Sequence, residues 1–165
     1  MIVLRCTQKL LSKVKPTLIA TPLGRESSGM LGDWYCHYVQ HGRAHLVLCV
    51  CERSLLPMVI PAAPARHFPL RLAETLAQML ARMNIAPNKI EREVAAIRTV
   101  VFAATASRVV LGSLNDFNYA LSFYDDEIQM GAFVPLSLHL AETPCKPIAY
   151  QSPIEVVQTL FVNSI

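Results

Sequence analysis

The segment from Trp34 to Cys51 constrains this chain more than any other. Trp34 to Gln40 is rich in aromatic and β-favouring residues, His41-Gly42 supplies a turn, and Ala44 to Cys51 returns as a nearly unbroken apolar run. Two such runs around a glycine-containing pair predict a β-hairpin. A strand with no polar side has to be covered on both faces, which places Ala44–Cys51 inside a sheet. A third strand is predicted around Leu55–Ile60. Pro57 within it lacks the N–H that a central strand needs, so the expectation is an edge or a bulge.

Elsewhere the periodicity is mainly helical. Met1–Arg5 reads as a short apolar strand, and Thr7 stands where an N-cap would start a brief helix over Lys9–Val14. Pro16, Pro22, Gly24, Ser27, Ser28 and Gly29 predict a long loop. Leu72, Leu76, Met79, Leu80 and Met83 recur at helical spacing within Pro69–Met83. Pro87 opens another helix, with Ile90, Val94 and Ile97 as its buried stripe, and Thr99–Ala103 reads as a buried strand. From Ser107 to Tyr124 one face carries Val110, Leu114, Phe117, Leu121 and Tyr124. Leu136–Ala141 suits helix or strand. Ser152-Pro153-Ile154-Glu155 has the capping-box pattern and begins a final helix to about Phe161. No repeat, low-complexity tract or linker divides the chain. The expectation is therefore a single globular domain over residues 1–165, of the α+β class. A mixed or antiparallel sheet is built around the central hairpin and packed by four or more helices.

Composition narrows the function classes. Of 165 residues 53% are hydrophobic and 16% charged, which sets the chain apart from disordered proteins. The most apolar stretch, Leu55–Ala65, is broken by Pro57, Pro61 and Pro64, well short of the ~20 residues a bilayer span needs. Arg5, Lys9 and Lys13 interrupt any secretory signal. No membrane partner is expected. The five cysteines follow no disulfide-framework spacing, which implies free thiols and a cytoplasmic setting. The net charge of +3 is unevenly divided: eleven Lys/Arg against four Asp/Glu from Met1 to Ile90, then four against eight.

The common catalytic and phosphate-binding signatures are absent: no Walker loop, dinucleotide fingerprint, His-Glu-x-x-His, Cys-x-x-Cys or nucleophile elbow. The sequence implies no cofactor and leans away from an enzyme. Three groupings remain. On the hairpin, a two-residue turn at His41-Gly42 sets Tyr38 against His45 and Cys36 against Val47, and puts Cys36, His45, Cys49 and Cys51 on one face. Residues two apart on a strand lie about 6.6 Å apart, whereas two thiolates on one zinc must lie about 3.8 Å apart. Ordinary buried cysteines are therefore expected, with no metal.

The same register sets Asp33 opposite Val50 and Glu52 opposite Leu31, so the two carboxylates meet at the open end of the hairpin. With Asp116 they form the candidate catalytic set for metal-dependent phosphodiester or nucleotide hydrolysis, Arg53 or Arg108 meeting the phosphate charge. Arg53 beside them points rather to an ion pair closing the hairpin end. The third grouping is the run Ser107–Phe117, where Arg108, Leu111, Gly112 and Asn115 share a helical face. Gly112 costs a helix interior about 1 kcal/mol relative to alanine, which implies close approach of backbone, side chain or ligand. Arg53, Arg108, Ser113 and Asn115 are the candidates for a ligand site or a polar network.

Four motifs carry a resemblance. They are Arg5-Cys6-Thr7-Gln8-Lys9-Leu10-Leu11, Leu31-Gly32-Asp33-Trp34-Tyr35, Glu52-Arg53-Ser54-Leu55-Leu56, and Arg108 through Phe117 with its Leu-Gly-Ser-Leu-Asn-Asp-Phe core. In this order the chain resembles an uncharacterised bacterial family defined only as a domain of unknown function. The resemblance implies no activity. It implies a setting among plasmids and mobile elements, and with it a role in host–element conflict.

The leading expectation is a non-catalytic binding or protein-interaction module with a protein partner or a homo-oligomer, since the apolar content exceeds what one small core needs. Nucleic-acid binding through the basic N-terminal half is the alternative: Lys9 and Lys13 lie one helical turn apart, and Lys15 and Arg25 follow. The metal-dependent hydrolase is the second alternative.

Overall fold

The computed structural model describes residues 1–20 and 27–164. Among them six strands form one mixed sheet in the order β2-β6-β1-β3-β4-β5. The strands are β1 (Ile2–Cys6), β2 (Ile19–Ala20), β3 (Trp34–His41), β4 (Ala44–Cys51), β5 (Pro57–Pro61) and β6 (Val100–Ala104). β1 runs parallel to β3 and β6, and β2 parallel to β6, while β4 is antiparallel to both of its neighbours. The helices are α1 (Gln8–Val14), α2 (Phe68–Arg82), α3 (Pro87–Ala96), α4 (Arg108–Leu121), α5 (Asp125–Gln129), α6 (Phe133–Leu140) and α7 (Pro153–Val162). This is the expected α+β class with a mixed sheet.

Alternation along the strands splits the core into two layers. Ile2, Leu4, Trp34, Cys36, Val47, Met58 and Ile60 face the layer built with α1, α2 and α7. Tyr35, Val39, Leu46, Leu48, Val50 and Val59 face the layer built with α4, α5 and α6. β4 is interior and buried from Leu46 to Cys51, as its apolar run predicts. β5 is an edge, as Pro57 requires, and that edge is covered: the Val59 N–H donates to Ser137 Oγ of α6 at 2.9 Å.

The hairpin turn falls one residue later than expected. Gly42-Arg43 forms the loop and His41 pairs with Ala44, so Cys36 opposes Cys49, Tyr38 opposes Val47 and Trp34 opposes Cys51. The reason is the backbone: Gly42 has φ +60°, and a two-residue hairpin wants glycine at the first central position when only that residue is left-handed. The slip moves each pairing by two residues, which preserves the faces. Cys36, Cys49 and Cys51 do share one buried layer, and Cys6 on β1 pairs with Cys36. All five cysteines are free thiols.

Other elements refine the expectations. Thr7 precedes α1 but does not cap it; its hydroxyl bonds instead to His37 Nδ1 at 2.7 Å. The expected loop from Pro16 to Gly29 contains β2, and its Pro22 and Gly24 lie outside the described residues. Leu136–Ala141 is helical, within α6. The α7 capping box is formed in both directions between Ser152 and Glu155. The stripe on α3 is polar in part: Glu93 is buried, whereas Ile90 and Val94 are half-buried.

Candidate functional site

A charged side chain inside an apolar strand needs a partner, and Arg5 on β1 has one. Its Nε donates to Asp33 Oδ2 at 2.6 Å, and its Nη1 reaches the Ala104 carbonyl at the end of β6. The pair is 7% and 5% exposed. Asp33 Oδ1 accepts from the Ser27 hydroxyl at 2.7 Å and from the Ser27 N–H at 3.2 Å. Beside Arg5, Tyr35 occupies the register position on β3, and its hydroxyl accepts from the Ser107 N–H at the start of α4. Burial pushes the Tyr35 phenol above its ordinary pKa. These contacts tie β1 to the entry of β3 and the end of β6, and separately β3 to α4, and they engage both Asp33 carboxylate oxygens inside the protein.

Asp33 and Glu52 are closer than the expected register allowed, since the Glu52 N–H donates to the Asp33 carbonyl at 2.8 Å. Their carboxylates nevertheless do different things. Asp33 is committed to Arg5, and Glu52 is exposed. Asp116 sits on the outer side of α4, beside Cys145. Among the described residues no three His, Cys, Asp or Glu side chains are grouped to hold a metal ion. The convergence of Asp33, Glu52 and Asp116 on a divalent ion is therefore not formed. Arg53 does not close the hairpin by an ion pair either: its Nη1 donates to the Met30 carbonyl at 3.2 Å. The stem of Arg53 packs over Gly32, where an added Cβ would lie 3.1 Å from Arg53 Cγ and φ is +78°.

The run Ser107–Phe117 forms the first part of α4, with Ser107 as N-cap accepting from the Val110 N–H. Val110, Leu114, Phe117 and Leu121 enter the core as expected. The opposite side borders a cleft of about 400 Å³, closed across from it by residues Thr143–Pro147. Arg108, Gly112, Ser113 and Asp116 line that cleft, and Asn115 does not. Arg108, Asn115 and Asp116 are exposed. The buried polar network expected for Arg108 and Asn115 is not formed; the buried polar contacts are the Arg5–Asp33 pair and, separately, the Tyr35–Ser107 hydrogen bond. In the far wall the Cys145 thiol is raised above its ordinary pKa, first by burial and then by the charge of Asp116.

A second surface lies where α1 crosses the hairpin. Lys9 and Lys13 place their ammonium groups over the ring of Tyr38, at 5.4 and 5.1 Å from its centroid. The Tyr38 hydroxyl bonds to His45 Nδ1 across the strands. Lys13 and Lys15 continue into a shallow cleft shared with Arg66 and His67. These cations are exposed, and among the described residues no carboxylate pairs with them. Nearby, His37 is lowered below the ordinary histidine pKa, first by burial and then by Lys9. Arg25 lies outside the described residues.

Sequence reasoning passed over Arg5, Tyr35 and Glu93. The Glu93 carboxylate accepts from the Met30 N–H at 2.7 Å and the Leu31 N–H at 3.1 Å, although burial still pushes its pKa up. Arg5 within Ile2–Cys6, and Glu93 within the stripe Ile90, Val94, Ile97, are charges at core positions. That misplacement was the available signal.

Fold and surfaces together define an α+β protein with a buried Arg5–Asp33 ion pair, an open cleft beside α4 and a basic face beside α1. Over residues 3–156 the chain matches the family described as a domain of unknown function, DUF6933, and it belongs to that family. No curated protein and no solved structure shows significant similarity to it. No helix among the described residues is long and apolar enough to cross a membrane.

Proposed function

We propose that this protein is a non-catalytic binding module whose partner is nucleic acid, held by its phosphates on the basic face of α1. The observation that carries this reading is the placement of Lys9 and Lys13 over the single ring of Tyr38. Like charges one turn apart on a helix repel, and no carboxylate of the described residues relieves them. An anion beside them would. Lys15, Arg66 and His67 extend the charge along one side, which suits a chain of phosphates better than a single anion. The cysteines support a reducing, cytoplasmic setting, and the sequence resemblance alone supports a setting among mobile elements.

The test is fluorescence anisotropy with labelled single-stranded DNA and RNA at low salt. Binding should weaken steeply with salt, and each lysine removed in Lys9→Ala or Lys13→Ala should lower the log–log salt slope by about 0.7 for a single strand. Absence of binding at low salt overturns the reading.

A second reading, a protein partner or homo-oligomer, is favoured by one other observation. Tyr119 and Phe123 stack edge to face at 5.4 Å while remaining 71% and 68% exposed. Sedimentation of wild type and Tyr119→Ser separates the two: self-association lost in the variant supports it, and a strict monomer in wild type removes the homo-oligomer.

A further inference from the structure

The cleft between α4 and residues Thr143–Pro147 is accounted for by nothing inside the protein. Gly112 lies in the middle of α4, where glycine weakens a helix by about 1 kcal/mol relative to alanine. Packing does not require it: a Cβ built there meets nothing within 4 Å. Of the three causes that the sequence allowed for this glycine, close backbone and close side chain are therefore removed. The missing Cβ deepens the cleft. Next to it, Ser113 is only 7% exposed, lines the same cleft, and its hydroxyl makes no hydrogen bond to any described residue. Serines in helices ordinarily bond back to a carbonyl of the preceding turn, as Ser137 does to Phe133. Its Oγ is not sealed from solvent, since Trp34 Nε1 is the one buried side-chain polar atom without a partner among the described residues; the Ser113 hydroxyl therefore opens to the cleft and is free to bond an occupant there.

The far wall is held firmly. Cys145 accepts on its carbonyl from the Ile148 and Tyr150 N–H groups and donates its own N–H to Gln151. Ala149 and Tyr150 take left-handed backbone to close this loop. Charge selects among occupants. Arg108, at the first position of α4, and Lys146 each line the cleft with no carboxylate of the described residues within salt-bridge distance. The N-terminal end of a helix adds favourable potential for an anion. Between Arg108 and Lys146 the surface is mostly apolar, from Val109, Phe117, Ala120, Pro144 and Pro147, and the Asp116 carboxylate in the same lining leaves two cations against one anion.

We infer that this cleft binds a small organic anion: a carboxylate or phosphate placed at Arg108, carrying an apolar body that lies over Gly112 and a group that hydrogen-bonds Ser113. This is a site separate from the basic face of α1.

The probes are 4-phenylbutyrate and phenyl phosphate as the two anion sources, with neutral 4-phenylbutyramide as control. Binding is read by amide chemical shifts and by protection of Cys145, which lines the cleft, from alkylation. At least one anion should shift resonances of α4 and residues 143–147 and slow Cys145 labelling. The stronger of the two identifies the head group. The neutral amide should bind about tenfold more weakly, the loss of one charge-assisted contact. Arg108→Gln should reduce anion binding to the level of the amide. Gly112→Leu should abolish binding while its unfolding midpoint stays at or above that of wild type, because leucine favours the helix and meets open space. Lys9→Ala/Lys13→Ala should leave anion binding unchanged, which separates this site from the nucleic-acid reading. The inference is overturned by no shift with either anion at about 10 mM, by equal binding of the amide, or by undiminished binding in a folded Gly112→Leu protein.

Discussion

Arg5 Nε and Asp33 Oδ2 lie 2.6 Å apart beneath the surface, and each carries its remaining polar contacts to a different strand or loop. Removing one partner strands a buried charge. Asp33→Asn should cost about 3–5 kcal/mol, whereas replacing both in Arg5→Met/Asp33→Leu should recover most of that loss. Urea unfolding of the three proteins checks the order. A single variant no less stable than the double would contradict it.

The two glycines at Gly29 and Gly112 should respond oppositely to the same substitution. In Gly29→Ala the new Cβ would fall 2.5 Å from Glu93 Oε1 and 2.9 Å from Ile2 Cδ1, pressing the carboxylate off the Met30 and Leu31 N–H groups. Overpacking of this kind costs about 1–3 kcal/mol. Gly112→Ala meets open space and should stabilise by up to about 1 kcal/mol. Thermal midpoints of both variants decide the matter.

Stability should fall on mild acidification, and His37 is the reason. Its pKa is depressed in the folded protein by burial and by Lys9, so below its ordinary value of 6.5 the unfolded chain takes up the proton first. The stabilising contribution is present above that value and is lost as pH falls through the folded pKa. His37→Gln keeps a polar partner for Thr7 but does not titrate, so its acid limb should be shallower. Glu93, raised by burial, contributes with the opposite sign, favouring the folded state as pH falls towards the ordinary carboxylate range. The comparison is therefore the slope of the urea midpoint in the variant against wild type, taken between about pH 7 and pH 5.

Alkylation of the native protein should label Cys145 and spare the others, since Cys6, Cys36, Cys49 and Cys51 are buried. Asp116 helps hold the Cys145 thiol protonated. Asp116→Asn should therefore speed its reaction with iodoacetamide near pH 8, because the thiolate is the reactive form. Mass spectrometry of partially labelled protein reads both effects.

Most of the scaffold was legible where side-chain periodicity alone decides structure. The unbroken apolar run of Ala44–Cys51 located an interior strand, Pro57 marked the edge, and Ser152 with Glu155 marked the start of α7. The turn at Gly42-Arg43 was misplaced by one residue because alternation fixes faces but is blind to a two-residue slip. Site residues were harder. Arg108, Ser113 and Asp116 are singled out by the sequence and do line one cleft, whereas Asp33, a candidate metal ligand only in the hydrolase alternative, is partnered by Arg5. That contact joins β1 to the entry of β3, and no local pattern announces a parallel pairing between strands so far apart in the chain. Glu93 was missed for the same reason, since its partners lie on the loop before β3.

The sheet order has a consequence for how the chain is born. β3, β4 and β5 follow one another in sequence and in space, so they can assemble as soon as they emerge. β1 is different. One side of it pairs with β3, but the other waits for β6, where Ile2 meets Val100. At ~5–20 residues per second the ribosome leaves that second edge without its partner for several seconds. An open strand edge is a template for wrong pairing. Among the described strands β1 thus precedes both of its neighbours in the chain, and its second edge stays open until β6 emerges.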